Sequence, residues 1–361
     1  MKVLILANND VGLYKFRREL IETILFSHEV HVCLPNGEYV SKLQAMGCEY
    51  HSFEFDRHGI NPFVEIKQLL FYRSLIKSVK PDVVFTYTVK PNVYAGMVCA
   101  SLDTPYVANV TGLGTAIECG GLMQRVLLHL YKRGLRKAQK VFFQNESNRD
   151  FMLSRKVIKD NYALIPGSGV NLDEHKAEPY PEQTDQIIFV TIGRIMKDKG
   201  ADELLYAAKV IHKIHTNVIF RVIGSFDGDY EEKVKTAVEE GEIEYLGYQH
   251  DIHSILKESH AIIHASYHEG MSNVLLEAAA CARPIIATDV AGCREIYEAG
   301  VSGISCNARD GDDLVRAICE FVALPYCEKV EMGLKGRKKV EREFDRNIVV
   351  NQYLKEIERL Q

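Results

Sequence analysis

Two carboxylates with seven residues between them, Glu269 and Glu277, sit in the run His268-Glu269-Gly270-Met271-Ser272-Asn273-Val274-Leu275-Leu276-Glu277. An apolar, strand-like stretch, Ala261–Ala265, leads into the run and a helical pattern leads out. Glu269 and Gly270 therefore belong to the intervening loop, and Ser272 or Asn273 caps the helix. Gly270 suits a tight turn where backbone approaches a ligand. The first N–H groups of a helix have no intrahelical partner, so Ser272, Asn273 and Val274, just past Met271, offer an anion site. Glu277 lies about one turn further in, on a helix otherwise made of Ala, Leu and Cys. A carboxylate there needs a partner, and a ribose diol, which can donate twice to one carboxylate, is a suitable one. The plainer alternatives are a solvated loop residue for Glu269 and a buried ion pair for Glu277.

A second element, Gly193-Arg194-Ile195-Met196-Lys197-Asp198-Lys199-Gly200, directly follows the strand-like run Ile187–Ile192. It has no G-x-G-x-x-G with which backbone alone could bind a pyrophosphate. It has instead Arg194, able to grip two phosphate oxygens, and Lys199, a point charge. Near the start, Asn9-Asp10-Val11-Gly12 follows another strand-like run. Gly12 permits close approach of a sugar or phosphate, and Tyr14, Lys15 and Arg17 come just after it. Asp227-Gly228-Asp229 imitates a metal-binding Asp-x-Asp but reads as a turn with a helix cap. His250, His253, His260, His264 and His268 read as incidental, because four-residue spacing gathers ligands only on a helix and His264 lies in a strand pattern. No metal site is expected.

Strands and helices must carry these loops. Apolar runs at Val3–Ala7, Val30–Leu34, 50–55, Val83–Tyr87, Tyr106–Val110 and 141–144 alternate with helical patterns such as Leu13–Phe26 and Pro62–Ser78. The alternation restarts at Ile187–Ile192 and continues through Val218–Ile223, 244–246, Ala261–Ala265 and Ile285–Thr288. Continuous apolar strands separated by helices mean parallel sheets covered on both faces. Two such series predict two doubly wound α/β domains, with ligands at the carboxyl ends of the strands and a cleft where the domains face each other. The expected division is residues 1–174, a Pro-containing polar linker 175–186, residues 187–344, and an amphipathic helix in 345–361 carrying Val349, Tyr353 and Ile357.

The 361 residues suit two domains and are 47% apolar and 26% charged, so the chain can build cores and is not disordered. The net charge of −5 is uneven: residues 1–180 hold 22 Lys/Arg against 18 Asp/Glu, and the rest hold 22 against 31. A nucleic-acid binder would show a dense basic stripe and a high pI, so no nucleic-acid partner is expected. The densest basic stretch, 122–140, sets Arg125, Lys132, Arg133, Arg136 and Lys137 among Val126, Leu127, Leu130 and Leu135. That pattern fits a helix lying on an anionic membrane, or a domain helix with a solvated basic face. No apolar run reaches the roughly 20 residues of a membrane span, and no export signal is legible. The nine scattered cysteines form no CxxC, which fits reduced, buried thiols in a cytoplasmic protein.

Taken together, the Glu269/Glu277 pair, the Gly193-Arg194…Lys199-Gly200 element and the loop at Gly12 resemble glycosyltransferase family four, and the resemblance covers the whole chain. Within it, Tyr14–Arg17, Lys90-Pro91-Asn92, Gly112-Leu113-Gly114, Asn145–Asn148 and Gly169–Leu172 are similar to bacterial enzymes that extend undecaprenyl-diphosphate-linked sugars, such as N-acetylgalactosaminyltransferases acting on diacetylbacillosamine carriers. The resemblance implies a GT-B fold of two Rossmann-like domains, with the last helix crossing back to the first domain. It implies retaining, metal-independent transfer of a hexose or N-acetylhexosamine from a UDP-sugar to a lipid-linked saccharide, in surface polysaccharide or glycoprotein glycan assembly. The enzyme would work at the inner face of the cell membrane.

Residue by residue, the resemblance implies that Arg194 and Lys199 neutralise the donor diphosphate, that Glu269 bonds a donor-sugar hydroxyl, and that Glu277 holds the ribose. Tyr14, Lys15, Arg17, Lys90 and Asn92 would face the acceptor. Many members carry a histidine near the reacting sugar; the matching position here is Val89, with Lys90 beside it as a substitute. Two alternatives stand beside this reading. One is a UDP-sugar 2-epimerase of the same fold, and the other is a two-domain sugar-binding protein without activity.

Overall fold

The computed structural model describes residues 1–54, 62–113 and 120–361. Phe55, at the end of the third expected strand, and Gly114 lie outside the described residues. The chain divides into two compact units: Met1–Ser168 together with Arg346–Gln361, and Gly169–Asp345.

Among the described residues the first unit holds seven strands: β1 (Lys2–Leu6), β2 (Glu29–Leu34), β3 (Glu49–Ser52), β4 (Val83–Tyr87), β5 (Tyr106–Val110), β6 (Lys140–Phe143) and β7 (Tyr162–Leu164). They pair in the order β3-β2-β1-β4-β5-β6-β7, and every pairing is parallel. Side chains of β1 alternate between faces: Leu4 and Leu6 enter one core, Val3 and Ile5 the other. Parallel strands need crossover connections, and helices including Asp10–Leu25, Pro62–Val79 and Gly121–Gly134 supply them. The helix Arg346–Glu358 packs Val349, Val350, Tyr353 and Ile357 into the β1/β4 side of this unit.

The second unit holds β8 (Ile187–Ile192), β9 (Val218–Ile223), β10 (Glu244–Tyr245), β11 (Ala261–His264), β12 (Ile285–Thr288) and β13 (Gly303–Cys306). Their order is β10-β9-β8-β11-β12-β13, again all parallel. The strand order reverses between β8 and β11. At such a switch point the following loops splay to opposite sides and leave a crevice beyond the strand ends. Both signature loops follow these two strands. The short strands β7 and β13 were not expected from the sequence; one has three residues and the other contains Gly and Ser, so neither carries a clear apolar run.

Two boundaries differ from the sequence reading. The division falls between Ser168 and Gly169 rather than after residue 174, and segment 175–186 belongs to the second unit instead of linking freely. Buried Arg283 draws that segment in by donating to the carbonyls of Glu178 (3.4 Å) and Pro179 (2.7 Å). Tyr326 Oη donates to the carbonyl of Pro181 at 3.0 Å. The basic helix ends at Gly134, not near Lys140. Gly134 packs directly on the π-helical turn Pro91–Ala95, where a Cβ would meet the carbonyl oxygen of Val93 at 2.6 Å. Among the described residues, no helix is long and apolar enough to cross a membrane.

Candidate active site

The switch point of the second sheet carries a pocket of about 210 Å³, lined by Gly193, Arg194 and Lys199 from the loop after β8 and by Glu269 and 271–274 from the loop after β11. The two loops are tied together. The N–H of Tyr267 donates to the carbonyl of Asp198 at 2.9 Å, and Ser266 Oγ reaches the same carbonyl at 3.3 Å. Gly200 ends the short 3-10 turn Lys197–Lys199 with φ +72°, and a Cβ there would meet the Ala265 carbonyl oxygen at 2.2 Å. Only glycine allows so close an approach. Gly292, with φ +83°, lies equally close under the backbone of Glu269, and its carbonyl accepts the N–H of Ser272 at 2.8 Å.

Within this frame Glu269 is the hub. Its Oε1 is ion-paired with Lys199 Nζ and lies 2.9 Å from His264 Nε2. Burial alone would raise the carboxyl pKa. The hydrogen bond from His264 and the charge of Lys199 outweigh that and hold Glu269 well below the usual carboxylate range. It is therefore an anion in the mildly acid to neutral range, not a proton donor. Ser272 is the N-cap residue of the helix Asn273–Ala280, but its hydroxyl turns to His264 Nε2 at 3.2 Å rather than to the helix. The first N–H groups of that helix thus have no side-chain cap at the pocket, which leaves the positive end of the helix for an anionic ligand.

Arg194 also borders the pocket, half-exposed, and bonds Asp227 Oδ2 through Nη1 at 2.6 Å. Asp227 is thus an arginine partner; the chain does turn at Gly228, but the helix that follows, Glu231–Glu239, has Tyr230 as its N-cap residue and no side-chain cap, contrary to the cap reading. Met271, Asn273 and Val274 line the pocket beside Ser272, and Gly270 lies in the connecting loop. Glu277 sits on the helix outside this lining, with Oε1 3.9 Å from His175 Nε2. His264 is the residue the sequence reading missed. Its place in a strand spoke against a ligand role, yet the carboxyl end of β11 is where a parallel sheet delivers side chains to its site. The period-2 pattern could not tell that end from the middle.

The residues assigned to an acceptor lie in the first unit, and two of them are corrected. Asn92 is fully buried: its Oδ1 accepts from Thr86 Oγ1 at 2.7 Å and its Nδ2 donates to the Asn109 carbonyl at 2.8 Å. It holds β4 and β5 together and cannot reach a substrate. Arg17 is 4% exposed, with its guanidinium 5.2 Å from the Tyr87 ring centre and 5.9 Å from that of Tyr353. It serves as packing beneath the last helix of that unit. The Gly12 N–H is engaged by the Asn9 side chain at 2.5 Å, so that amide is closed to a ligand. Tyr14 packs on Tyr39, their ring centres 5.1 Å apart, and the carbonyl of Lys15 accepts from Arg346 at 3.1 Å. Lys90 pairs with Glu65 Oε1 at 2.8 Å.

Residues 2–145 match the family described as glycosyl transferase 4-like, and residues 186–323 match glycosyl transferases group 1. Over its whole length the chain is 28% identical to the N,N'-diacetylbacillosaminyl-diphospho-undecaprenol alpha-1,3-N-acetylgalactosaminyltransferase of Campylobacter jejuni, 99% of which is covered. It is 25% identical to the capsular polysaccharide biosynthesis glycosyltransferase CapM of Staphylococcus aureus over 84% of this chain and 85% of that one. Among solved structures, Anabaena HepE in complex with UDP and glucose superposes with a TM-score of 0.78 at 17% identity, covering 99% of both chains. Sucrose-phosphate synthase from Thermosynechococcus elongatus superposes at 0.82 and 18%, covering 100% of this chain and 99% of that one. These likenesses show a GT-B fold. The first match takes in β1–β6 and the second β8–β13, and the chain belongs to the group 1, family-four-like glycosyltransferases.

Proposed function

We propose that this glycosyltransferase moves a hexose or N-acetylhexosamine from a UDP-sugar to a saccharide on an undecaprenyl diphosphate carrier, with retention at the anomeric carbon and without a divalent metal. One observation carries the reading: two cationic side chains and an uncapped helix N-terminus converge on one pocket around a buried, ionised Glu269. The likeness to the Campylobacter enzyme over the full chain supports the lipid-linked acceptor. The fold shared with a UDP-binding protein supports the nucleotide.

Transfer breaks the bond between the anomeric carbon and the diphosphate, whose oxygen leaves with the electron pair. Arg194, Lys199 and the first N–H groups of the helix Asn273–Ala280 are in place before that charge develops, which is how such groups lower a barrier. An ammonium has three donors, so Lys199 can bond phosphate oxygens while holding Glu269. Glu269 accepts from a donor-sugar hydroxyl, and Glu277 from the ribose. The acceptor hydroxyl attacks from the face the diphosphate leaves, and its proton passes to a departing phosphate oxygen. In this scheme the fixed cations supply the charge stabilisation that a metal ion would otherwise give.

The acceptor is reached at the inner surface of the membrane. On the helix Gly121–Gly134, Leu122 is 78% exposed and Met123 and Val126 are also exposed, among exposed Arg125, Lys132 and Arg133. Arg136 and Lys137 follow it, also exposed, and Lys137 pairs with Asp103. Apolar side chains flanked by cations suit an anionic bilayer surface. The whole reading is tested by ranking UDP-sugars by thermal stabilisation of the protein, then incubating the best with a lipid-linked saccharide and assigning the product's anomeric configuration by NMR. Retention with transfer supports it. Conversion of UDP-N-acetylglucosamine without acceptor would mark an epimerase, and binding without any reaction a sugar-binding protein.

A further inference from the structure

At the carboxyl end of the helix that carries Glu277, three side chains with metal-ligating atoms meet: a ring nitrogen of His175, one of His253 and Sγ of Cys281 all lie within 4.8 Å of one another. They come from three places in the second unit. His175 lies in the segment after Gly169, where its carbonyl is held by Arg337 at 2.7 Å. His253 is on the helix Ile252–Glu258, and Cys281 caps the end of the helix Asn273–Ala280. We propose that His175, His253 and Cys281 form a site for Zn²⁺. This inference uses none of the donor-pocket groups as ligands and stands whether or not the proposed transfer is correct.

The hydrogen bonds set the ligands up. His253 Nε2 lies 2.9 Å from Glu178 Oε1, so it is the protonated nitrogen and donates to the carboxylate. That leaves the lone pair on Nδ1, which lies 3.3 Å from Cys281 Sγ and accepts its S–H. Tetrahedral Zn²⁺ with the usual bond lengths spaces sulfur and nitrogen ligands about 3.5 Å apart. A carboxylate on the outer nitrogen of a ligating histidine is the usual support for such a metal, fixing the tautomer and raising the basicity of the ring. Glu277 Oε1 lies 3.9 Å from His175 Nε2, beyond hydrogen-bond distance.

The chemistry of binding is an exchange of cations. Without the ion the Cys281 thiol carries its proton, which it donates to His253 Nδ1. Zn²⁺ forms a bond to sulfur as the S–H bond breaks, and one proton leaves to solvent. The thiolate and Glu178 then balance the ion's charge locally. A sulfur and two imidazoles favour a borderline-soft ion over Mg²⁺ or Ca²⁺, which take oxygen ligands. The ion would fasten the segment after Gly169 to two helices of the same unit.

The test uses the full-length protein, reduced and stripped with a chelator, titrated with Co²⁺ as a coloured probe and then with Zn²⁺. The expected result is one equivalent of Co²⁺ with a thiolate-to-metal charge-transfer band, bleached by Zn²⁺, and a melting temperature that rises with Zn²⁺. Cys281→Ser should abolish the band. Glu178→Gln, which removes no ligand, should weaken Zn²⁺ binding roughly tenfold or more. A second cluster of His31, Glu49 and His51 could also hold a metal, but it has no sulfur and cannot give the band. Absence of the band in the wild type overturns the proposal, as does a band that survives Cys281→Ser. If Cys281→Ser fails to fold, unchanged Zn²⁺ affinity in both Glu178→Gln and His253→Gln overturns it equally.

Discussion

Lys199 and Glu269 are ion-paired in the pocket beyond β8 and β11, although the chain separates them by 70 positions. In the proposed mechanism the pair joins two groups with opposite tasks, one for phosphate and one for sugar hydroxyls. Each fixes the rotamer of the other before a donor arrives. His264 braces the same oxygen from beneath, so the carboxylate is held from two sides.

Lys199→Ala therefore removes both a phosphate contact and the partner of Glu269, while Arg194→Ala removes a phosphate contact alone. Losing one preorganised charge stabiliser costs on the order of a hundredfold in turnover. Lys199→Ala should lose at least that, and Arg194→Ala about that, in steady-state kcat with saturating donor. The half-exposed Arg194–Asp227 pair adds little to stability, so Arg194→Ala should melt within a few degrees of wild type, whereas Lys199→Ala strips the buried Glu269 carboxylate of its ammonium partner and should melt lower. Near-normal turnover in both would remove the phosphate clamp from the mechanism.

Glu269→Gln and Glu277→Gln should separate kinetically. In the proposed mechanism Glu269 contacts the reacting sugar, and a contact that tightens in the transition state shows in kcat. Glu277 there holds the ribose, and a contact equal in ground and transition states shows in donor KM. His264→Ala should follow Glu269→Gln, lowering kcat roughly tenfold or more with little change in donor KM, because it acts by positioning that carboxylate. Donor KM and kcat measured for all three variants decide the point; the opposite split for the two glutamates would reverse the donor pose.

Turnover should survive EDTA. Arg194, Lys199 and the helix terminus are charged without a metal, Glu269 is engaged by Lys199 and His264, and Asp227 is bonded to Arg194. The assay belongs well below the melting temperature, so that removing a stabilising ion elsewhere does not register as lost catalysis. Activity that disappears with chelator and returns with Mg²⁺ or Mn²⁺ would contradict metal independence.

Replacing Lys132, Arg133, Arg136 and Lys137 with Gln should release the protein from anionic vesicles. Each basic residue at such a surface contributes about 1 kcal/mol, and salt screens it. Transfer to a lipid-linked acceptor should slow far more than transfer to a short soluble analogue. Vesicle flotation across a salt series, together with assays on both acceptors, tests this. Unchanged flotation with both activities equally reduced would make the helix purely structural.

Stability should fall as the pH drops from about 6.5 toward 4. Burial, then the charges of Lys329 and Arg283, lower the pKa of His260 from 6.5 to about 4. Its Nδ1 accepts the N–H of Ile188 at 3.0 Å, which only the neutral ring can do. Between those values the unfolded chain binds a proton that the folded one refuses, so this contribution is full above about pH 6.5 and shrinks on acidification. The gap corresponds to about 3 kcal/mol. His260→Asn keeps an acceptor and does not titrate, so its unfolding free energy should be flatter over this range in denaturant titrations. A slope equal to wild type would assign the acid sensitivity elsewhere.

The two parallel sheets were legible in the chain because strands covered on both faces must be apolar throughout, and runs such as Ile187–Ile192 and Val83–Tyr87 keep that composition to their ends. The loops bearing Arg194, Lys199 and Glu269 were legible because they follow such runs, where doubly wound sheets place their ligands. What the linear chain could not determine was who meets whom. Asn92 and Arg17 have the polar types of a binding site, but partners distant in sequence, Asn109 and the rings of Tyr87 and Tyr353, turn them inward. His264 reads as a core strand residue until the reversal of strand order puts the end of β11 beside β8. Segment 175–186 reads as a polar connector until Arg283 binds its carbonyls. Local composition fixes which residues can be buried or charged. Contacts across long sequence separations decide which of those charges face a ligand and which are satisfied from within.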